Sequence, residues 1–133
     1  MNYYKFLPIL AGLILFTSCE KKVILVNGYL KGKISIGPIC PVETNPPDTA
    51  CMPTAETYKA YPVGIWTSDG NKKITEISPA LNGYYVTSIA AGNYLVQLDN
   101  NKSIAIGSNL PAKIVINSLD STLLNINIDT GIR

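Results

Sequence analysis

The chain has 133 residues, with 11 basic and 9 acidic side chains, no histidine and a net charge of +2. That length makes one domain of ordinary size, the missing histidine removes every Ser-His-Asp or Cys-His arrangement, and no basic stripe with interleaved aromatics is offered to a nucleic acid. Charged residues are scarce at 15%, and the plentiful Val, Ile, Leu, Tyr, Thr and Asn suit β-strands joined by polar turns.

The N-terminus carries one positive charge, Lys5, and then an apolar run from Phe6 to Phe16. This is the layout of a secretory signal. The run is about half of the roughly 20 apolar residues a membrane-spanning helix needs, and Pro8 and Gly12 interrupt it. Leu15-Phe16-Thr17-Ser18-Cys19 resembles a lipobox, the site where bacterial lipoprotein signal peptidase cuts before a cysteine that receives lipid. Ser18 fits the small position before the cysteine, while Phe16 stands where leucine is usual and Leu15 lies one place earlier. The resemblance implies cleavage after residue 18, a diacylglycerol on the Cys19 sulfur, and acylation of its new amino group. Two or more chains anchor stably, whereas one binds only marginally. Residues 1–18 are then the signal, and 19–28 the lipidated cysteine with a tether. Residues 29–133 form the domain, held in the bacterial cell envelope through a membrane partner.

With Cys19 lipidated, Cys40 and Cys51 remain as a pair. In an oxidising compartment the default for such a pair is a disulfide, here closing the proline-rich stretch 41–50. A zinc site needs more ligands than these two, and a redox site wants closer spacing such as Cys-x-x-Cys.

Tyr29 to Ile36 alternates, with Leu30, Gly32, Ile34 and Ile36 on one face, and predicts a first strand. A cysteine loop follows to about Lys59. Tyr61 to Thr67 and Lys72 to Ile77 predict a hairpin around Asp69-Gly70, a pair that supplies the positive φ angles of a tight turn. Tyr84 to Ile89 is the next strand, after the Asn82-Gly83 turn, and Tyr94 to Asp99 the one after it. Lys102 to Ile106, Ala112 to Ile116 and Leu124 to Ile128 complete about eight short strands, with no segment of helical period beyond the signal. This spacing predicts an all-β antiparallel sandwich. Lys31, Lys33 and Pro62 are expected near sheet edges, where charge and proline block edge-to-edge pairing.

Asn82-Gly83-Tyr84-Tyr85-Val86 and Ile89-Ala90-Ala91-Gly92-Asn93-Tyr94-Leu95-Val96 resemble the signature of carboxypeptidase regulatory-like domains. There a Gly-aromatic strand leads into a Leu-x-x-Gly-x-Tyr strand. The resemblance implies a transthyretin-like sandwich, with Gly92 taking turn geometry and Tyr94 returning into the core. The acidic residue usual before the first glycine is replaced here by Pro79 and Ala80. Gly37-Pro38-Ile39-Cys40-Pro41-Val42-Glu43 and Asp129-Thr130-Gly131-Ile132-Arg133 are also similar to the opening and ending of a group of small secreted bacterial proteins. Such a fold implies no activity, because it hosts many.

Asp129-Thr130-Gly131 also spells the aspartic-protease triplet. That chemistry needs two carboxylates sharing a proton, and the chain has one copy. The plain reading is a strand end and a glycine turn, with Arg133 on the carboxylate. The sequence points to no cofactor, no metal and no enzyme. Trp66, Tyr84 and Tyr85, with Tyr58, Tyr61 and Tyr94, are candidates for an aromatic platform facing a glycan or peptide. The alternative is that they fill the core and its rim, and alternation puts Tyr84 and Tyr85 on opposite faces. The expected role is a structural or protein-interaction module in the envelope, with a glycan or peptide binder as the alternative.

Overall fold

The computed structural model describes residues 24–42, 44–99 and 108–133. The signal, Cys19 and the expected strand Lys102–Ile106 lie outside these residues.

Among the described residues, eight strands form two four-stranded sheets. Strand β1 (Asn27–Gly37) is the centre of the first sheet. It pairs antiparallel with β4 (Tyr84–Ala90), and on its other side it pairs with β7 (Ser121–Leu123) and then β8 (Ile126–Asp129). The second sheet runs β3 (Lys73–Ile77), β2 (Val63–Thr67), β5 (Gly92–Leu98), β6 (Ala112–Ile116), all antiparallel. The inward row of β1, including Leu30, Ile34 and Ile36, meets Val63, Ile65, Val96, Ile114 and Ile116 from the second sheet. Alternation along each strand therefore produces the sandwich, because inward residues at period two can only be dried by a second layer.

The all-β, antiparallel-rich sandwich is as the sequence predicts, and several details differ. The β7 and β8 strands run parallel to β1, so the sandwich is rich in antiparallel pairs without being wholly antiparallel. The chain leaves edge strand β6, turns through residues 117–120 and crosses to the other sheet. There Tyr29 N–H donates to Asp120 O at 2.8 Å and the Thr122 hydroxyl to Val115 O at 2.8 Å. Second, Ala55–Ala60 is a helix, α1. Thr54 and Thr57 form a reciprocal cap, each side chain accepting from the other's backbone N–H at 3.3 and 3.0 Å. Such a box marks a helix start, but six residues are too few to display a 3.6-residue period. Third, Lys31, Lys33 and Pro62 do not guard edges. Both lysines belong to the central strand β1, and Pro62 precedes the equally central β2.

The expected last strand, Leu124 to Ile128, is broken at Leu124-Asn125. The Leu124 carbonyl turns inward and accepts the Tyr85 hydroxyl at 2.6 Å. The Asn125 carbonyl accepts from the Asn109 amide at 2.8 Å, and the Asn125 side chain accepts from Lys33 N–H at 3.1 Å. Both carbonyls freed by the break thus find a partner, as does the Leu124 N–H, which donates to Lys31 O at 2.9 Å; such pairing is the condition for a break beside a core.

Candidate functional site

The expected aromatic platform does not assemble on one surface. Tyr85 is 4% exposed and belongs to the core. Burial pushes its phenol up to about 12. Tyr58, Tyr61 and Tyr94 pack half-buried against the core, and the Tyr94 hydroxyl donates to Ala90 O at 2.8 Å. Tyr84, its neighbour's opposite in alternation, faces solvent from the outer side of the first sheet. Trp66 lies on the outer side of the other sheet, half-buried, with its indole folded across Gly64. A Cβ at Gly64 would come within 2.6 Å of Trp66 Nε1. That nitrogen is buried without an acceptor. The glycine two residues before the tryptophan, on the same strand face, was the sequence signal for this folding back.

Beside Trp66, Lys73 pairs with Glu76 at 2.7 Å and with Asp99, and these carboxylates hold the Lys73 ammonium above its usual range, Asp99 contributing most. Asp69 is occupied within its hairpin by the Thr67 hydroxyl and by Asn71, whose backbone N–H donates at 3.0 Å; these bonds lower its carboxyl. Asp129 is clamped by Arg133, with guanidinium-to-carboxylate distances of 2.8 and 3.2 Å, and accepts from Gly131 N–H at 2.9 Å. The Arg133 bonds, then that N–H, hold the carboxyl below its usual range. The Asp-Thr-Gly triplet is therefore a strand end closed by a glycine at φ +75°, as the plain reading of the sequence expects.

Cys40 and Cys51 are bridged, with Cα atoms 5.4 Å apart. The segments Gly37-Pro38 and Asp129-Thr130 also meet. Gly37 in β1 is registered with Asp129 in β8, Thr130 N–H donates to Gly37 O at 3.1 Å, and the Thr130 hydroxyl donates to Pro38 O. They fasten one end of the first sheet to the disulfide loop.

The resemblance to regulatory-like domains is corrected at one residue. Gly92 sits in β5 without a positive φ, its missing side chain facing the Tyr94 ring. Gly83 carries the strained geometry instead, at φ +83°, where a Cβ would lie 2.3 Å from Ile34 O. The turn that lacks the family's acid is closed by its own backbone. Ala80 N–H donates to Tyr84 O at 2.9 Å, and Gly83 N–H to Ala80 O at 2.8 Å.

A shallow hollow of ≈ 350 Å³ lies between α1 and the β3–β4 connection, walled by Tyr58, Ile77, Pro79 and Leu81. Among the described residues no group of His, Cys, Asp or Glu is placed to hold a metal ion, and no helix is long and apolar enough to cross a membrane. An exposed feature that the fold assembles from distant segments is the outer face of the first sheet. It carries Tyr29, Lys31 and Lys33 from β1, Tyr84 and Val86 from β4, and Leu123 from β7.

No family model and no curated protein matches the chain. Among solved structures it is similar to a DUF3823 family protein from Parabacteroides merdae, with a TM-score of 0.46 and 12% identity over 77% of this chain and 46% of that one. A DUF3823 family protein from Bacteroides ovatus gives a TM-score of 0.42 and 15% identity over 75% and 44%. BcpA, the major pilin subunit of Bacillus cereus, gives 0.41 and 14% over 77% and 28%. The chain spans less than half the length of each.

Proposed function

We propose that this chain is an envelope lipoprotein whose Cys19 carries the lipid anchor, and that its β-sandwich is a non-catalytic module for structural or protein-interaction work. The observation that carries this reading is how the polar and apolar groups are used. Asp69, Asp99 and Asp129 are each committed to a local partner, whereas Tyr29, Tyr84, Val86 and Leu123 stand exposed together on one sheet face. Catalysis needs converging reactive groups, and binding to another surface needs such a patch. The Cys40–Cys51 bridge supports an oxidising compartment.

Replacing Cys19 by serine tests the anchor. The Cys19→Ser chain should leave the membrane fraction or stay unprocessed, while the native chain gains the mass of a diacylglycerol after losing residues 1–18. Unchanged membrane retention together with unchanged processing would overturn the reading. A glycan or peptide binder remains the second reading, favoured by Tyr29 and Tyr84 sharing the exposed face. Saturable binding of a soluble envelope glycan, lost in Tyr84→Ala, would support it.

A further inference from the structure

On the outer face of the first sheet, Lys31 is flanked by two registered neighbours, Val86 in β4 and Leu123 in β7. Val86 is 70% exposed, Leu123 66% and Tyr84 60%. Lys33 is registered with Tyr84, and its ammonium stands 5.4 Å from the ring centroid. Tyr29 continues the patch toward the start of β1. Asn27, Ser35, Ser88, Ser121 and Asn127, also outward on these strands, are neutral. The one carboxylate at an outward position in these strands, Asp129 at the end of β8, is taken by Arg133 and not by either lysine. On the opposite face of the sandwich Lys73 is neutralised by Glu76 and Asp99, and Lys113 beside Val115 is the exposed lysine of β6.

A flat apolar and aromatic surface studded with unbalanced lysines matches one partner chemistry well. Lysine stems lie along apolar surface while their heads reach for anions, tyrosines settle at the level of lipid headgroups, and lysines near an anionic leaflet are attracted to it. The chain also enters the domain at the Tyr29 end of this face. Ile24, Leu25 and Val26, just before β1, are all exposed. Asn27 follows Cys19 by eight residues, a step of at most about 28 Å even when fully extended. A tether that short keeps the face at a high effective concentration over the bilayer, so that a surface too weak to bind alone stays docked.

We propose that the outer face of the β4–β1–β7 sheet lies on the anionic phosphate headgroups of the membrane that holds the Cys19 anchor. This rests on the reading of Cys19 as a lipid anchor. It leaves the opposite, Trp66-bearing face toward solvent.

The test uses the full lipidated chain reconstituted into phosphatidylcholine vesicles with and without phosphatidylglycerol. A polarity-sensitive fluorophore is placed at Val86→Cys or, for comparison, at Val115→Cys, which is exposed on the outer side of the second sheet. Cys19 is acylated and Cys40 and Cys51 are bridged, so the introduced thiol alone reacts. In anionic vesicles the probe at residue 86 should shift to the blue and be quenched severalfold less by aqueous iodide than the probe at 115. The difference should shrink with added salt and in the Lys31→Glu, Lys33→Glu double variant. Both substituted valines are surface residues, and unchanged far-UV circular dichroism will show that the variants are folded. A chain that stays in the supernatant overturns the anchor, and the docking with it. A chain that pellets with its vesicles while both probes are equally quenched overturns the docking alone. So does shielding at residue 86 that arises only when an envelope protein or polysaccharide fraction is added.

Discussion

Gly32 and Tyr85 are registered partners across β1 and β4, and the Tyr85 ring reaches over the bare glycine toward Leu124. A Cβ at Gly32 would lie 1.9 Å from Leu124 O, so the glycine makes room for a carbonyl that points into the core. The Tyr85 hydroxyl satisfies that carbonyl. Tyr85→Phe should therefore cost on the order of 1–3 kcal/mol, the usual penalty for leaving a buried acceptor unpaired; urea denaturation measures it. Gly83 and Gly92 make a contrasting pair. Gly83→Ala must adopt a φ of +83° against Ile34 O, and a loss of about 1–3 kcal/mol is expected. Gly92→Ala meets only the Tyr94 ring at ordinary distance, 3.5 Å, and should change stability by less than about 1 kcal/mol. Equal losses at the two positions in thermal melts would contradict this assignment. The family signature drew attention to both glycines, but whether a glycine needs positive φ depends on the path of the chain around it.

At the scale of elements, the cysteine loop and the sandwich are distinct in their dependence on the core. Among the described residues between Ile36 and Val63, no apolar side chain is fully buried. Beyond the partial packing of Ile39, Tyr58 and Tyr61 against the core, the loop is held by the Cys40–Cys51 bridge, by the Asp48 side chain accepting from Ala50 N–H at 2.9 Å, and by the cap of α1. In the chain-entropy picture a bridge of this loop length contributes about 3 kcal/mol. The Cys40→Ser, Cys51→Ser protein should lose up to that amount while its strands keep their slow amide exchange, and exchange in residues 44–60 should accelerate. Simultaneous loss of protection in β1 and β5 would show that the loop supports the core directly. Spacing and composition were enough to anticipate this bridge. Helix α1 was not anticipated, because its Thr54–Thr57 cap is a local signal that six residues cannot reinforce with periodicity. The parallel course of β7 and β8 was also hidden, since alternation says which face a strand buries and nothing about its direction.

For the whole molecule, the buried Tyr85 phenol ties stability to alkaline pH. The folded chain keeps this proton up to about pH 12, whereas an unfolded tyrosine releases it near 10.0. Between these values the native state binds more protons than the unfolded one. The stabilisation is therefore complete below pH 10 and is lost as pH rises toward 12, with a slope of up to about 1.4 kcal/mol per pH unit. Denaturant midpoints measured between pH 9 and 12 should fall accordingly, and the Tyr85→Phe protein should lack this share of the fall.

The N-terminal apolar run, the cysteine arithmetic, the turn residues and the inward rows of the strands were all readable from the linear chain, because each is a local pattern whose physics acts within a few residues. The sandwich followed from those rows, since alternating apolar residues must be covered by a second layer. Only the tertiary structure decided which strands are central and which aromatics reach solvent. Lys31 and Lys33 became the middle of a face instead of an edge guard when β7 crossed to the far side of β1. The same crossing brought Leu123 beside Lys31 and so completed the exposed patch. Trp66 was withdrawn from any shared platform because Gly64 left a space for its indole. Neighbours from distant segments settled each of these outcomes, and pairing between distant segments is set by how the whole core packs.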